Sequence, residues 1–121
     1  MDDLSPLADQ SFCYVTTTGR RTGNPHEIEI WFGWAEGLTI YMLAGGGEKA
    51  DWVANIKANP AVKLRIADHD YTGTARVVTD DAEDALARKL LAAKYQKWQE
   101  GTEMSSWART ALLMAIDLAP V

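Results

Sequence analysis

The sequence predicts a small α+β protein, a mostly antiparallel barrel of six strands with a short helix after the third strand and a longer one after the fifth. Three observations lead there. Short β-branched and aromatic runs of alternating polarity recur along the chain, as strands with one buried face do. Glycine-rich or acidic turns separate most of them. Two segments instead place their apolar residues at helical spacing.

In chain order, SFCYVTTT (11–18) reads as the first strand. HEIEIWFGW (26–34) alternates cleanly and reads as the second, with Ile28, Ile30 and Phe32 facing one way and Glu27, Glu29 and Trp31 the other. AEG turns the chain into LTIYMLA (38–44), a third strand paired to the second. After three glycines, the spacing of Ala50, Val53, Ala54 and Lys57 predicts the short helix, ended by Asn59-Pro60 because a residue preceding proline avoids helical angles. AVKLRIA and YTGTARVVT are strands four and five, joined by the turn DHD; Thr72, Thr74 and Arg76 form the polar side of the fifth. Asp80 and Glu83 resemble a capping box opening the long helix, which runs toward Gly101. Its expected apolar stripe is Leu86, Leu90 and Ala93, widened by Leu91, Tyr95 and Trp98. ALLMAIDLAPV is the last strand.

A chain of 121 residues reads as a single domain, residues 1–121. Its formal net charge of −5 argues against a general nucleic-acid binder, which needs a basic footprint. The single cysteine, Cys13, excludes an internal disulfide, fits a reducing cytoplasm and lies in a strand pattern as a small core residue. The acidic N-terminus MDDLSPLADQ lacks the features of a secretory signal, and no apolar run is long enough for membrane insertion. The expectation is a soluble cytoplasmic protein.

Two clusters carry potential chemistry. Gly45, Gly46 and Gly47 sit between a strand and a helix start, either as a flexible connection or as backbone amides open to an anion, with Lys49 beside them. The spacing is not that of a Walker loop. Arg20 and Arg21 lie in the bend after the first strand, either as a solvated charged turn or as the cationic half of the same anion site. If the bend and the glycine loop are neighbours, Arg20, Arg21 and Lys49 converge. Trp31, on the polar face of its strand, and Trp52, early in the short helix, then offer flat surfaces for a planar heterocycle carrying a phosphate. Trp34, Trp98 and Trp107 read as packing residues. HEIEI is not a zinc motif, His69 reads as solvated, and no nucleophile has an evident base.

YVTTTGRRTGNPHEIEI, LAGGGEKADWVANIKANPAVKLRI and TGTARVV together resemble the deazaflavin-dependent nitroreductase family, within the flavin/deazaflavin oxidoreductases of split β-barrel fold. The resemblance runs from about Phe12 to the last strand. It implies a split barrel holding coenzyme F420 in a groove, its ring near the strands and its phosphate and glutamyl tail on basic residues. Carried over by position, Arg20 and Arg21 are tail and phosphate contacts, with Gly23 and His26 in the same turn. Trp31 lies near the ring, Ala44, Gly45, Gly46 and Gly47 form the loop beside ring and phosphate, and Lys49 and Trp52 adjoin it.

The implied activity is hydride transfer from reduced F420 to a small electrophile such as an activated alkene, quinone or nitroaromatic. The cofactor supplies the chemistry and the protein supplies position and charge. Trp31, Tyr95 and Trp98 are candidate substrate contacts, and His26 and Tyr41 candidate proton donors. Two alternatives stand beside it: the same barrel using FMN, and a non-catalytic barrel carrying a lipid or other hydrophobic ligand. The sequence leaves open whether the protein is a homodimer.

Overall fold

Cys13, Val15 and Thr17 are fully buried while Tyr14, Thr16 and Thr18 between them are half-buried, so β1 (Cys13–Thr18) presents one face to an interior. In the computed structural model, which describes residues 4–120, β1 pairs antiparallel along its length with β2 (Pro25–Ile30), from Cys13↔Ile30 to Thr18↔Pro25. The connecting bend closes with Gly19 N–H donating to Asn24 O at 2.8 Å and Gly23 N–H to Gly19 O at 2.8 Å.

The expected second strand breaks at Trp31–Phe32, which gives the sheet seven strands among the described residues in place of six. The cause is a side chain from the long helix. The Tyr95 hydroxyl accepts from Phe32 N–H at 3.0 Å and lies 3.0 Å from Phe32 O, and Lys94 Nζ donates to the same carbonyl at 2.9 Å. With its backbone groups satisfied this way, Phe32 leaves the ladder. The stub β3 (Gly33–Trp34) follows, and a Cβ at Gly33 would lie 3.3 Å from Leu91 Cδ2, so glycine admits the helix against the sheet. The expected pairing of the second and third strands survives only through this stub, as Gly33↔Tyr41 and Trp34↔Ile40 with β4 (Thr39–Ala44).

A 3-10 turn at Gly47–Lys49 leads into the short helix α1 (Asp51–Ala58), which ends before Asn59-Pro60 as the sequence requires. β5 (Ala61–Ile66) and β6 (His69–Val77) form a hairpin turned at Ala67–Asp68, so His69 and Asp70 belong to a strand instead of the turn. The long helix α2 (Asp81–Gln96) is capped by the Asp80 carboxylate, which accepts from Glu83 N–H. It stops at Lys97, a left-handed residue (φ 55°), short of Gly101. Its buried stripe is Ala87, Leu91 and Ala92 with Tyr95 at the margin, which corrects the expected one: Leu86 is 49% exposed and Ala93 also faces out. Spacing by four from Glu83 through Ala87 and Leu91 to Tyr95 defines the face that meets the sheet. A third helix, α3 (Ser106–Thr110), was not expected; the Ser105 hydroxyl caps it by accepting from Ala108 N–H.

β7 (Leu112–Leu118) closes the order β2-β1-β5-β6-β7-β4-β3, with every neighbouring pair antiparallel. The curled sheet has two cores. Val15, Phe32, Ile40, Met42, Leu64, Ile66, Met114 and Ile116 fill its concave side together with Val53 and Ile56 of α1. Tyr41, Leu43, Leu113 and Ala115 pack on the other side against α2 and α3. β4 and β7 are thus covered on both faces, which explains the uninterrupted apolar run that ends the chain. No described helix is long and apolar enough to cross a membrane.

Candidate functional site: the cationic bend and the start of α1

Arg20 does not project freely from its bend. Asn55, a buried amide on α1, accepts through Oδ1 from Arg20 N–H at 3.1 Å and from Nη1 at 2.9 Å, while its Nδ2 donates to Thr17 Oγ1 at 3.1 Å. Asp51, the first residue of α1, lies 3.4 Å from Arg20 Nη2 through a carboxylate that is 90% exposed. These contacts fix the bend against α1, one 3-10 turn from the glycine loop. Arg21 is exposed and has no hydrogen-bond or ion-pair partner among the described residues. The His26 ring lies over Gly19, where a Cβ would stand 2.7 Å from Nε2, so a larger residue at 19 would displace the imidazole. Arg20, Arg21, His26, Asp51, Trp52 and Asn55 line a hollow of ≈ 670 Å³.

The glycine loop opens toward α2 and α3. Ala44, Gly45 and Gly47, with Glu48, Arg88 and Trp107, line a second hollow of ≈ 480 Å³. Gly47 needs its left-handed angle (φ 61°), and Gly46 packs on Ala50. Gly45 has neither reason: its φ is ordinary and an added Cβ would meet nothing within 4 Å. Lys49 is exposed and, like Arg21, has no partner among the described residues. Lys57 holds Glu48 at 2.7 Å and lowers its pKa through that hydrogen bond.

The expected site residues therefore fall into two groups whose hollows share no lining residue. Arg20, Arg21, His26 and Trp52 share the bend hollow; Ala44, Gly45 and Gly47 line the loop hollow, and Lys49, at the end of the 3-10 turn, lines neither. Gly23 turns the bend with φ 77° and borders the opposite, outer face of the sheet beside Thr18 and Thr74. Trp31 stacks on Tyr95 with centroids 4.4 Å apart and planes 2° from parallel, and meets the Trp107 edge at 5.4 Å. At 37% exposure it keeps one face for solvent or ligand, and Trp107 links it to the loop hollow. Tyr41 faces α2, donating to Glu83 at 2.6 Å, and burial followed by that bond pushes its pKa up to about 12; its proton is engaged within the fold.

The family profile of F420H2-dependent quinone reductases matches residues 5–106, a span that contains both the bend and the glycine loop. The chain belongs to that family. Among solved structures, a protein from Bacteroides thetaiotaomicron proposed to confer 5-nitroimidazole antibiotic resistance superposes with a TM-score of 0.75 at 17% identity, over 94% of this chain and 76% of that one. An F420H2-dependent reductase superposes with a TM-score of 0.67 at 24% identity, over 88% and 93%. A protein solved as a domain-swapped dimer gives 0.66 at 26% identity, over 88% and 79%. These likenesses share the split β-barrel fold.

Within this F420H2-dependent quinone reductase family member, sequence reading missed three residues that organise the site. Asn55 carried a signal, a polar residue between Val53 and Ile56 on the buried side of an amphipathic helix. Asp51 carried only the ordinary preference for acid at a helix start. The sequence offers Tyr95 as a substrate contact or a member of the apolar stripe, and no local pattern announces that its hydroxyl will hold a strand 63 residues away.

Proposed function

We propose that this protein is an F420-dependent oxidoreductase acting on a small electrophile of the quinone, activated alkene or nitroaromatic class. The match over residues 5–106, which spans both the bend and the glycine loop, carries this reading. The donor set fits an anion-tailed, planar cofactor. Among the described residues Arg21 and Lys49 are uncommitted cations on a protein of net charge −5, and Gly45 keeps open a space that packing does not require. Arg20, Arg21 and Lys49 hold the phosphate and tail, His26 and Trp52 border them, and the glycine loop lets backbone approach the ligand. Reduced F420, when bound, supplies a hydride from C5. The protein orients the two reactants and, with the open face of Trp31, offers a surface from which water is excluded. Glu29, whose charge would repel a glutamyl tail, is turned to another partner, accepting from Tyr14 at 2.6 Å, whereas Glu27, 3.8 Å from Arg65, lines the bend hollow and sets a negative charge at its edge.

The setting consistent with a lone buried cysteine is the cytoplasm, and a homodimer is compatible with the fold. Titration of the apo protein with F420 and, separately, with FMN tests the reading through quenching of tryptophan fluorescence. Saturable binding of F420 with weaker or absent binding of FMN is expected, followed by consumption of reduced F420 on adding a quinone. Preferential FMN binding would replace the cofactor assignment, and binding of neither would remove it.

A further inference from the structure

Resting on that reading of the bend as an anion site, we infer that Asn55 is its positioning residue and that Asp51 is a displaceable stand-in for the ligand's oxygens. One Asn55 oxygen accepts from both the backbone N–H and the Nη1 of Arg20. It fixes the main chain and the guanidinium at once. Asn55 is itself held by its bond to Thr17, so the orientation is set by one strand and a helix. What is left on Arg20 is its side-on edge. Nε has no acceptor among the described residues, and Nη2 has only the 3.4 Å contact with Asp51. That edge is the one that binds two anionic oxygens in parallel.

The choice of amide over carboxylate has a physical reason. A neutral acceptor orients a guanidinium without cancelling its charge, whereas a buried carboxylate would form a closed ion pair. The countercharge sits instead on Asp51, at the solvent-exposed end of the same contact, where a ligand phosphate or carboxylate can take its place at little cost. Asp51 also occupies the first turn of α1, where its negative charge competes with any anion for the helix dipole.

The test measures F420 affinity and melting temperature for Asn55→Asp, Asn55→Ala, Asp51→Asn and Arg21→Ala at one fixed salt concentration. Asn55→Asp should weaken F420 binding about 10-fold or more, through charge cancellation, while melting within a few degrees of wild type. A residue that merely packs α1 would not separate those readouts in this way. Asn55→Ala should weaken binding similarly, and Asp51→Asn should tighten it about threefold. Wild-type affinity in Asn55→Asp overturns the role of Asn55. Should neither Asn55 variant fold, unchanged affinity in Asp51→Asn overturns the proposal instead. Arg21→Ala separates the two levels. If it binds F420 as tightly as wild type, the anion site fails; if it binds weakly while Asn55→Asp binds tightly, only the positioning role fails.

Discussion

Tyr95 holds Phe32 by its backbone. The hydroxyl accepts the Phe32 N–H at 3.0 Å, and its own proton serves Ser11 O at 2.8 Å or Phe32 O at 3.0 Å. The same side chain carries Trp31 stacked on its ring. One helical residue thus ends β2, starts β3 and sets the angle of the most exposed tryptophan. Tyr95→Phe keeps the stack and removes the hydroxyl, leaving the N–H of buried Phe32 without its acceptor. A loss of about 1–3 kcal/mol in urea unfolding is expected. Trp31 emission should change little, because the ring beneath it stays.

A second prediction concerns acid. Glu83 takes two bonds from Arg76 at 2.8 Å each and one from Tyr41 at 2.6 Å; the Arg76 bonds come first in holding its pKa down to about 2, from 4.5. Arg76 also lowers Asp117, at 2.7 Å. Both carboxyl pKa values are depressed in the fold. Between about pH 4.5 and 2 the unfolded chain therefore binds more protons, and stability falls as pH falls. Arg76→Gln should lower stability at neutral pH by about 2 kcal/mol and flatten the acid limb, as urea midpoints across that range will show.

Which parts of this architecture were legible in the sequence follows from how local their causes are. β-branched and aromatic composition placed β1, alternation placed β5 and β6, and a continuous apolar run placed β7, because each buries one face or both along a regular register. The Asp80–Glu83 cap and the Asn59-Pro60 stop are contained within a few residues and were readable for that reason. The break at Phe32 was not, since it is imposed by Tyr95 and Lys94 from α2. The stripe of α2 departs from the leucine-centred one that spacing predicts, with alanines at its centre. The helix lies close enough to the sheet at Gly33 that Ala87 and Ala92 are the residues that fit, and Leu86 is left outside. In the site, the sequence identified the cations and glycines. It did not distinguish Arg20, already anchored by Asn55, from Arg21, which has no partner among the described residues, because that depends on a helix 35 residues further on.

The alkaline side gives a third prediction. Lys94 Nζ lies 3.7 Å above the Phe32 ring and donates to Phe32 O, and burial lowers its pKa to about 8 from 10.5. From about pH 8 upward the unfolded chain holds the proton that the folded chain releases, so stability rises with pH. Cys13, raised by burial from 9.0 to about 12, works in the opposite direction once its unfolded thiol ionises. The gain should therefore be visible between about pH 8 and 9 and fade above it. Lys94→Met keeps the stem and should abolish the rise in thermal unfolding followed across that window.

The two arginines of the bend should separate by melting temperature. Arg20→Ala removes the donor of a 2.9 Å bond to a buried amide oxygen, which then keeps only the Arg20 N–H at 3.1 Å. A cost of about 1–2 kcal/mol is expected. Arg21→Ala removes no contact among the described residues and should melt as wild type does. Both should bind F420 less tightly, and the residual affinity should depend less steeply on salt, since each change withdraws one cation from an anionic ligand. Measured together, a stability loss confined to position 20 and an affinity loss at both distinguish an anchored and a free member of one site. An affinity loss at position 20 alone would leave the charge of Arg21 outside the ligand and count against the bend as an anion site.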